Sequence, residues 1–191
     1  MNILRKTWYF LRGIIPILWK FCIIANKIML SCLYIMNLDF IRKFLEQFSY
    51  DPKIENYSGL KKFRKFVIAG MGGSNLASEI IKTRKPELSL IIHRDYGLPA
   101  IKKTDFKKTL IITSSYSGNT EETIDVFNES LKNGLPIIAI STGGKLLELA
   151  KKNGVPYIEL PNTHIEPRNA LGFSLRAMLG ALREEKLLKE T

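Results

Sequence analysis

Thr109-Leu110-Ile111-Ile112-Thr113-Ser114-Ser115-Tyr116-Ser117-Gly118-Asn119-Thr120 is the stretch on which the reading of this chain turns. Its first half is a short apolar run rich in β-branched residues, as a strand buried on both faces requires. Its second half is a cluster of hydroxyls around one glycine. A helical pattern follows at once over 120–133, with Ile124, Phe127 and Leu131 on one face. A buried strand that delivers a polar loop directly into a helix is the repeating unit of a parallel α/β sheet.

The same unit recurs on either side. Upstream, Phe66-Val67-Ile68-Ala69 reads as a strand, Gly70-Met71-Gly72-Gly73-Ser74 as its loop, and 74–83 as a helix with Leu76, Ile80 and Ile81 inward. A further strand is expected over 88–93. Downstream, Gly134 stands where a helix C-cap belongs, 136–141 reads as a strand, and 144–153 as a helix closed by Gly154. A fifth strand follows over 156–160. The pattern predicts one long helix over 168–188, striped by Leu171, Leu175, Met178 and Leu182. Ahead of the sheet, Leu38, Ile41, Leu45 and Phe48 mark an amphipathic helix over 38–48, ended by Asp51-Pro52. The expected architecture is α/β: a doubly wound five-stranded parallel sheet, order 2-1-3-4-5, with helices on both faces.

Composition bounds the rest. The 191 residues, 46% hydrophobic and 25% charged, suit one globular domain with an appendage. The net charge is +11, but no aromatic residues interleave with a basic stripe, and nucleic acid is not an expected partner. Cys22 and Cys32 are the only cysteines, so 36–191 holds no disulfide framework and no Cys/His metal spacing; a cytoplasmic protein without metal or cofactor is expected. Residues 1–35 form an apolar leader with Arg5, Lys6, Arg12, Lys20 and Lys27 and no acid. Arg12, Pro16, Lys20, Asn26 and Lys27 interrupt every window of membrane-spanning length. The leader reads as sequence upstream of a start at Met36, as a signal-like segment, or as a membrane-surface anchor. A membrane partner follows only from the last. The expected domain is 36–191.

In the 2-1-3-4-5 order, ligands bind between strands 1 and 3, beyond their carboxyl ends. The two loops at that point are Gly70–Ser74 and Ser114–Thr120. Each opens a helix, whose free amides and positive dipole end favour an anion. The hydroxyls of Ser74, Ser115, Ser117 and Thr120 add donors, so the bound group is most simply a phosphate. Each loop alone has a plainer reading: a tight turn for the first, and turn and cap residues for the second, with Asn119 and Glu122 as a capping box. Their coincidence at one switch point favours a ligand. A dinucleotide reading, with Asp95 and Arg94 at the ribose, fits less well, because position 75 is Asn where Gly is needed and the hydroxyl loop stays unexplained.

Three motifs together resemble the sugar isomerase (SIS) domain family, and within it the bifunctional phosphoglucose/phosphomannose isomerases. They are Gly70-Met71-Gly72-Gly73-Ser74, Ser115-Tyr116-Ser117-Gly118-Asn119-Thr120-Glu121-Glu122-Thr123, and Pro167-Arg168-Asn169-Ala170-Leu171-Gly172. The resemblance implies that Gly72, Gly73, Ser74, Ser115, Ser117 and Thr120 bind the substrate phosphate. It implies that Arg168 stabilises the charge of an enediolate during interconversion of glucose or mannose 6-phosphate with fructose 6-phosphate. The plainer reading of Arg168 is a helix-start residue paired with Glu166. In that family a second SIS domain carries the base, and no motif here matches it, so a homodimer or a complementary SIS chain is the expected partner. The apolar stripe of the last helix is the expected homodimer surface. His93 reads as a strand-end residue, His164 as a residue near the site. The alternative function is a non-catalytic module that senses a sugar phosphate.

Overall fold

The computed structural model describes residues 41–57 and 63–191. Phe44–Thr191 form one compact unit, and the expectation for residues 1–35 lies outside the described residues.

Five parallel strands build the sheet: β1 Lys65–Ala69, β2 Ser89–His93, β3 Thr109–Ser114, β4 Ile137–Ser141 and β5 Tyr157–Glu159. Their order is β2-β1-β3-β4-β5, as the pattern predicts. Val67 stands level with Ile91 and Ile111, and Ile111 with Ile137. Alternate residues therefore serve opposite faces. One face carries Phe66, Ile68, Leu110, Ile112, Ile138, Ile140 and Ile158. It packs on α1 (Leu76–Arg84) and α4 (Leu171–Leu182). The other carries Val67, Ile111, Ile137 and Ala139, covered by α2 (Glu121–Lys132) and α3 (Gly144–Lys152). β3 and β4 are buried at every residue because both faces are covered.

Four expectations are corrected. The loop after β1 closes as a 3-10 turn, Gly72–Asn75, before α1 begins. That turn resets the phase of the helix, so Ala77, Ser78 and Ile81 face the core while Leu76 and Ile80 are exposed. Ahead of the sheet, the helix ends at 46 and tightens into a 3-10 turn, Gln47–Ser49. Leu45 and Ile41 are exposed there, Phe48 is partly buried, and the buried residue is Gln47; Leu38 lies outside the described residues.

The last helix is two helices. Arg183 adopts the left-handed conformation (φ 57), its amide donating to Gly180 O and that of Glu184 to Leu179 O, which closes α4. The Arg183 guanidinium lies 5.1 Å from the centre of the Tyr57 ring, and α5 (Glu185–Glu190) follows. Arg168 precedes α4 in a separate 3-10 turn, Pro167–Asn169. The expected homodimer surface is also spent: Leu175, Met178 and Leu182 are core residues and Leu171 packs against them. Each large apolar side chain so buried contributes roughly 1.5–3 kcal/mol, which opposes its exposure to a second chain.

Candidate functional site: three loops at the switch point

β1 and β3 end side by side, and the loops that follow meet a segment from far along the chain. Gly73 lies so close to the Pro167–Arg168 backbone that a Cβ there would stand 2.7 Å from Arg168 N and 2.9 Å from Pro167 C. Only glycine permits that approach. The Tyr116 amide donates to Ser74 Oγ at 3.1 Å, joining the first loop to the second. The three sequence motifs therefore form one cluster at the carboxyl end of the sheet.

Within the hydroxyl loop the side chains divide by burial. Ser115 is 1% exposed and Ser74 6%. Ser115 Oγ and Thr120 Oγ1 share a hydrogen bond of 2.8 Å, and the Gly118 amide donates to Ser115 Oγ at 3.1 Å. Ser117 is exposed and Thr120 half-buried. Ser74 Oγ accepts a bond from Tyr116, which leaves its own proton to donate. Gly72, which precedes this pair, turns the chain at φ 51. Thr120 is the N-cap residue of α2, yet its oxygen bonds to Ser115 and caps nothing. The first turn of α2 thus has no side-chain cap from its own N-cap residue, at the positive end of the helix. Thr123 Oγ1 in the same turn, and Tyr116 OH, are buried without a hydrogen-bond partner.

The capping-box reading of Asn119 and Glu122 is corrected. Asn119 Oδ1 accepts the Lys145 amide at 3.1 Å, so it serves α3 rather than α2. Asp95 and Arg94, the dinucleotide alternative, are engaged elsewhere: Asp95 Oδ1 accepts the Tyr96 amide, and Arg94 pairs with Glu79. Glu121 and Glu122 do occupy the first turn of α2. Glu121 accepts a bond from Tyr96 OH at 3.3 Å. Partial desolvation, the Glu122 carboxylate and that bond raise the Tyr96 pKa, which keeps the phenol a donor.

Arg168 is exposed, and among the described residues it has no ion pair; the pairing with Glu166 is not formed. Its turn is held by a residue that no local pattern marks. Gln47 is 3% exposed, donates from Nε2 to Asn169 O at 2.7 Å, and accepts the Gly172 amide at 2.9 Å. His93 Nε2 bonds to Gly97 O at 2.8 Å, a strand-end role as expected. His164 is exposed with φ 54, its amide directed to Asn162 Oδ1. Among the described residues no group of three His, Cys, Asp or Glu side chains is placed to hold a metal ion. No helix among them is long and apolar enough to cross a membrane.

No protein-family model matches the chain. Among curated proteins, the bifunctional phosphoglucose/phosphomannose isomerase of Caldicellulosiruptor bescii is 44% identical over 118 residues, covering 60% of this chain and 34% of that protein. The enzyme of the same name from Aquifex aeolicus is 33% identical over 150 residues, covering 76% of this chain and 45% of that protein. The D-glucosamine-6-phosphate 4-epimerase of Sulfolobus acidocaldarius is 32% identical over 117 residues, covering 61% and 37%. Among solved structures, the NanR protein of Vibrio vulnificus complexed with ManNAc-6P has a TM-score of 0.42 at 18% identity, over 66% of this chain and 48% of that one, too slight a likeness to bear on function. The chain thus spans between a third and a half of the length of these two isomerases, and by that match its homologues are bifunctional phosphoglucose/phosphomannose isomerases.

Proposed function

We propose that this chain supplies the sugar-phosphate-binding half of an aldose–ketose isomerase that interconverts glucose or mannose 6-phosphate with fructose 6-phosphate. The observation that carries the proposal is the convergence of three distant motifs on one anion-ready helix end, with Gly73 against Arg168 and Ser74 bonded to Tyr116. In this reading the amides around Gly72 and Gly73, the first turn of α2, and the hydroxyls of Ser74, Ser115, Ser117 and Thr120 hold the phosphate. Ser117 and Thr120 give the direct contacts and the two buried serines set the frame. Arg168, unpaired and exposed, stabilises the oxyanion of the enediolate as a proton moves between adjacent carbons. That proton needs a base within hydrogen-bond reach. We assign the base to a second SIS domain, on another chain or in further sequence. A hexosamine-phosphate epimerase is also among the relatives, which supports a sugar phosphate as the ligand. We place the protein in the cytoplasm, a compartment that a disulfide-free 36–191 suits without requiring it.

Calorimetric titration tests the anchor. Glucose 6-phosphate is expected to bind and glucose not to. The double variant Ser117→Ala, Thr120→Ala is expected to lose about 1.5–3 kcal/mol of binding, as hydrogen bonds to a charged group are worth. Equal affinity for the sugar and its phosphate would sink the assignment.

A further inference from the structure

The turn after β4, Ser141-Thr142-Gly143-Gly144, grips the hydroxyl loop from two sides. Asn119 Oδ1 accepts the Lys145 amide at 3.1 Å, and Gly118 O accepts the Leu146 amide at 2.9 Å. These are first-turn amides of α3, whose own N-cap residue is Gly143 and offers no side chain. The hydroxyl loop is therefore the cap of α3, supplied from another element. On the other side, the Thr142 amide and Oγ1 donate to Tyr116 O at 3.1 and 2.7 Å. No slack remains between the two segments. A Cβ on Gly144 would stand 2.4 Å from Ser117 O and 2.9 Å from Asn119 Oδ1. Because an amide donor faces it, the Asn119 atom at this point must be the oxygen.

Gly118 and Asn119 are the two residues between Ser117 and Thr120. Pinning both to α3 fixes the separation of the two accessible hydroxyls. We propose that Asn119 is a positioning residue of the phosphate cradle: by capping α3 it holds Ser117 and Thr120 at the spacing that grips the anion. The proposal rests on the reading that this loop binds phosphate.

The test uses the full 191-residue chain as wild type, Asn119→Ala and Asn119→Asp, each titrated with glucose 6-phosphate at one fixed, high salt concentration. Amide hydrogen exchange at Lys145 and in β1 and β3 is followed without ligand. Asn119→Ala is expected to weaken binding about tenfold, the loss of one net hydrogen bond from the frame. Exchange at Lys145 should speed up while the strand amides stay protected. Asn119→Asp keeps an oxygen for the Lys145 amide and suits the helix dipole, and salt screens its added charge. It should restore both the exchange protection and most of the affinity. Unchanged binding by Asn119→Ala overturns the proposal. So does a loss shared equally by Asn119→Asp with Lys145 protected, because Asn119 would then touch the ligand through Nδ2. If the wild type binds no glucose 6-phosphate, the phosphate reading itself fails and the positioning role falls with it.

Discussion

The two ends of the sheet use the same strands and make opposite surfaces. At the amino end a cavity of about 740 Å³ opens among Phe63, Phe66, Leu88, Leu110 and Leu182. Two acids on its rim share one cation: Lys85 lies 3.5 Å from both Glu87 and Glu184. At the carboxyl end the loops present directed donors. An uncapped helix, an exposed Ser117, a half-buried Thr120 and an unpaired Arg168 stand on loops locked to one another. In the proposed reading the carboxyl end is set apart by held donors rather than by volume, because an anion can replace water at a fixed set of donors without reorganising the protein.

The sharpest way to break this comparison is to loosen the locked end. Gly118 sits at φ 73, and a Cβ there would stand 1.9 Å from Gly143 O. Gly118→Ala therefore adds overpacking against backbone to the left-handed penalty, and should cost about 3 kcal/mol or more. Gly134 has a similar φ of 64 with nothing within 4 Å of its Cβ position, so Gly134→Ala should cost only about 1–2 kcal/mol. Urea denaturation of the pair measures the difference. Equal losses would mean that the loop and the β4–α3 turn are not locked.

A smaller effect tests the support of Arg168. Gln47→Ala strands Asn169 O and the buried Gly172 amide, and should cost about 2–4 kcal/mol by the same assay. Binding of glucose 6-phosphate should weaken with it. A loss within ~0.5 kcal/mol, the usual surface range, would show that the Arg168 turn stands without Gln47. The smallest effect belongs to the amino end. Lys85→Ala removes two long, partly exposed pairs and should change stability by less than about 1 kcal/mol. Sugar-phosphate affinity should not change. A clear loss of affinity would mean that the two ends are coupled, and the contrast between them would have to be redrawn.

Much of the fold was legible because it follows local rules. Apolar runs such as 109–113 have only one place in a soluble α/β protein, between two helical layers, and Gly134 and Gly154 ended their helices as glycine at C′ does. The errors lie where a neighbouring turn or a distant contact overrode the periodic pattern. Leu76 and Ile80 fit an inward stripe, but the 3-10 turn at Gly72–Asn75 shifted the phase. The long terminal helix lacked any Gly or Pro to interrupt it between 181 and 191, and it broke at Arg183, which packs on Tyr57.

The sequence by itself determined the parallel sheet, the switch point and the three motifs that meet there, because strand burial, glycine and hydroxyl spacing are properties of neighbouring residues. Tertiary structure alone decided how the site is held. Gln47 reaches Asn169 and Gly172 across more than a hundred residues, and Asn119 caps a helix that is not its own. Such bonds satisfy polar groups that burial has cut off from water, and which groups are buried together is settled only when the chain has packed.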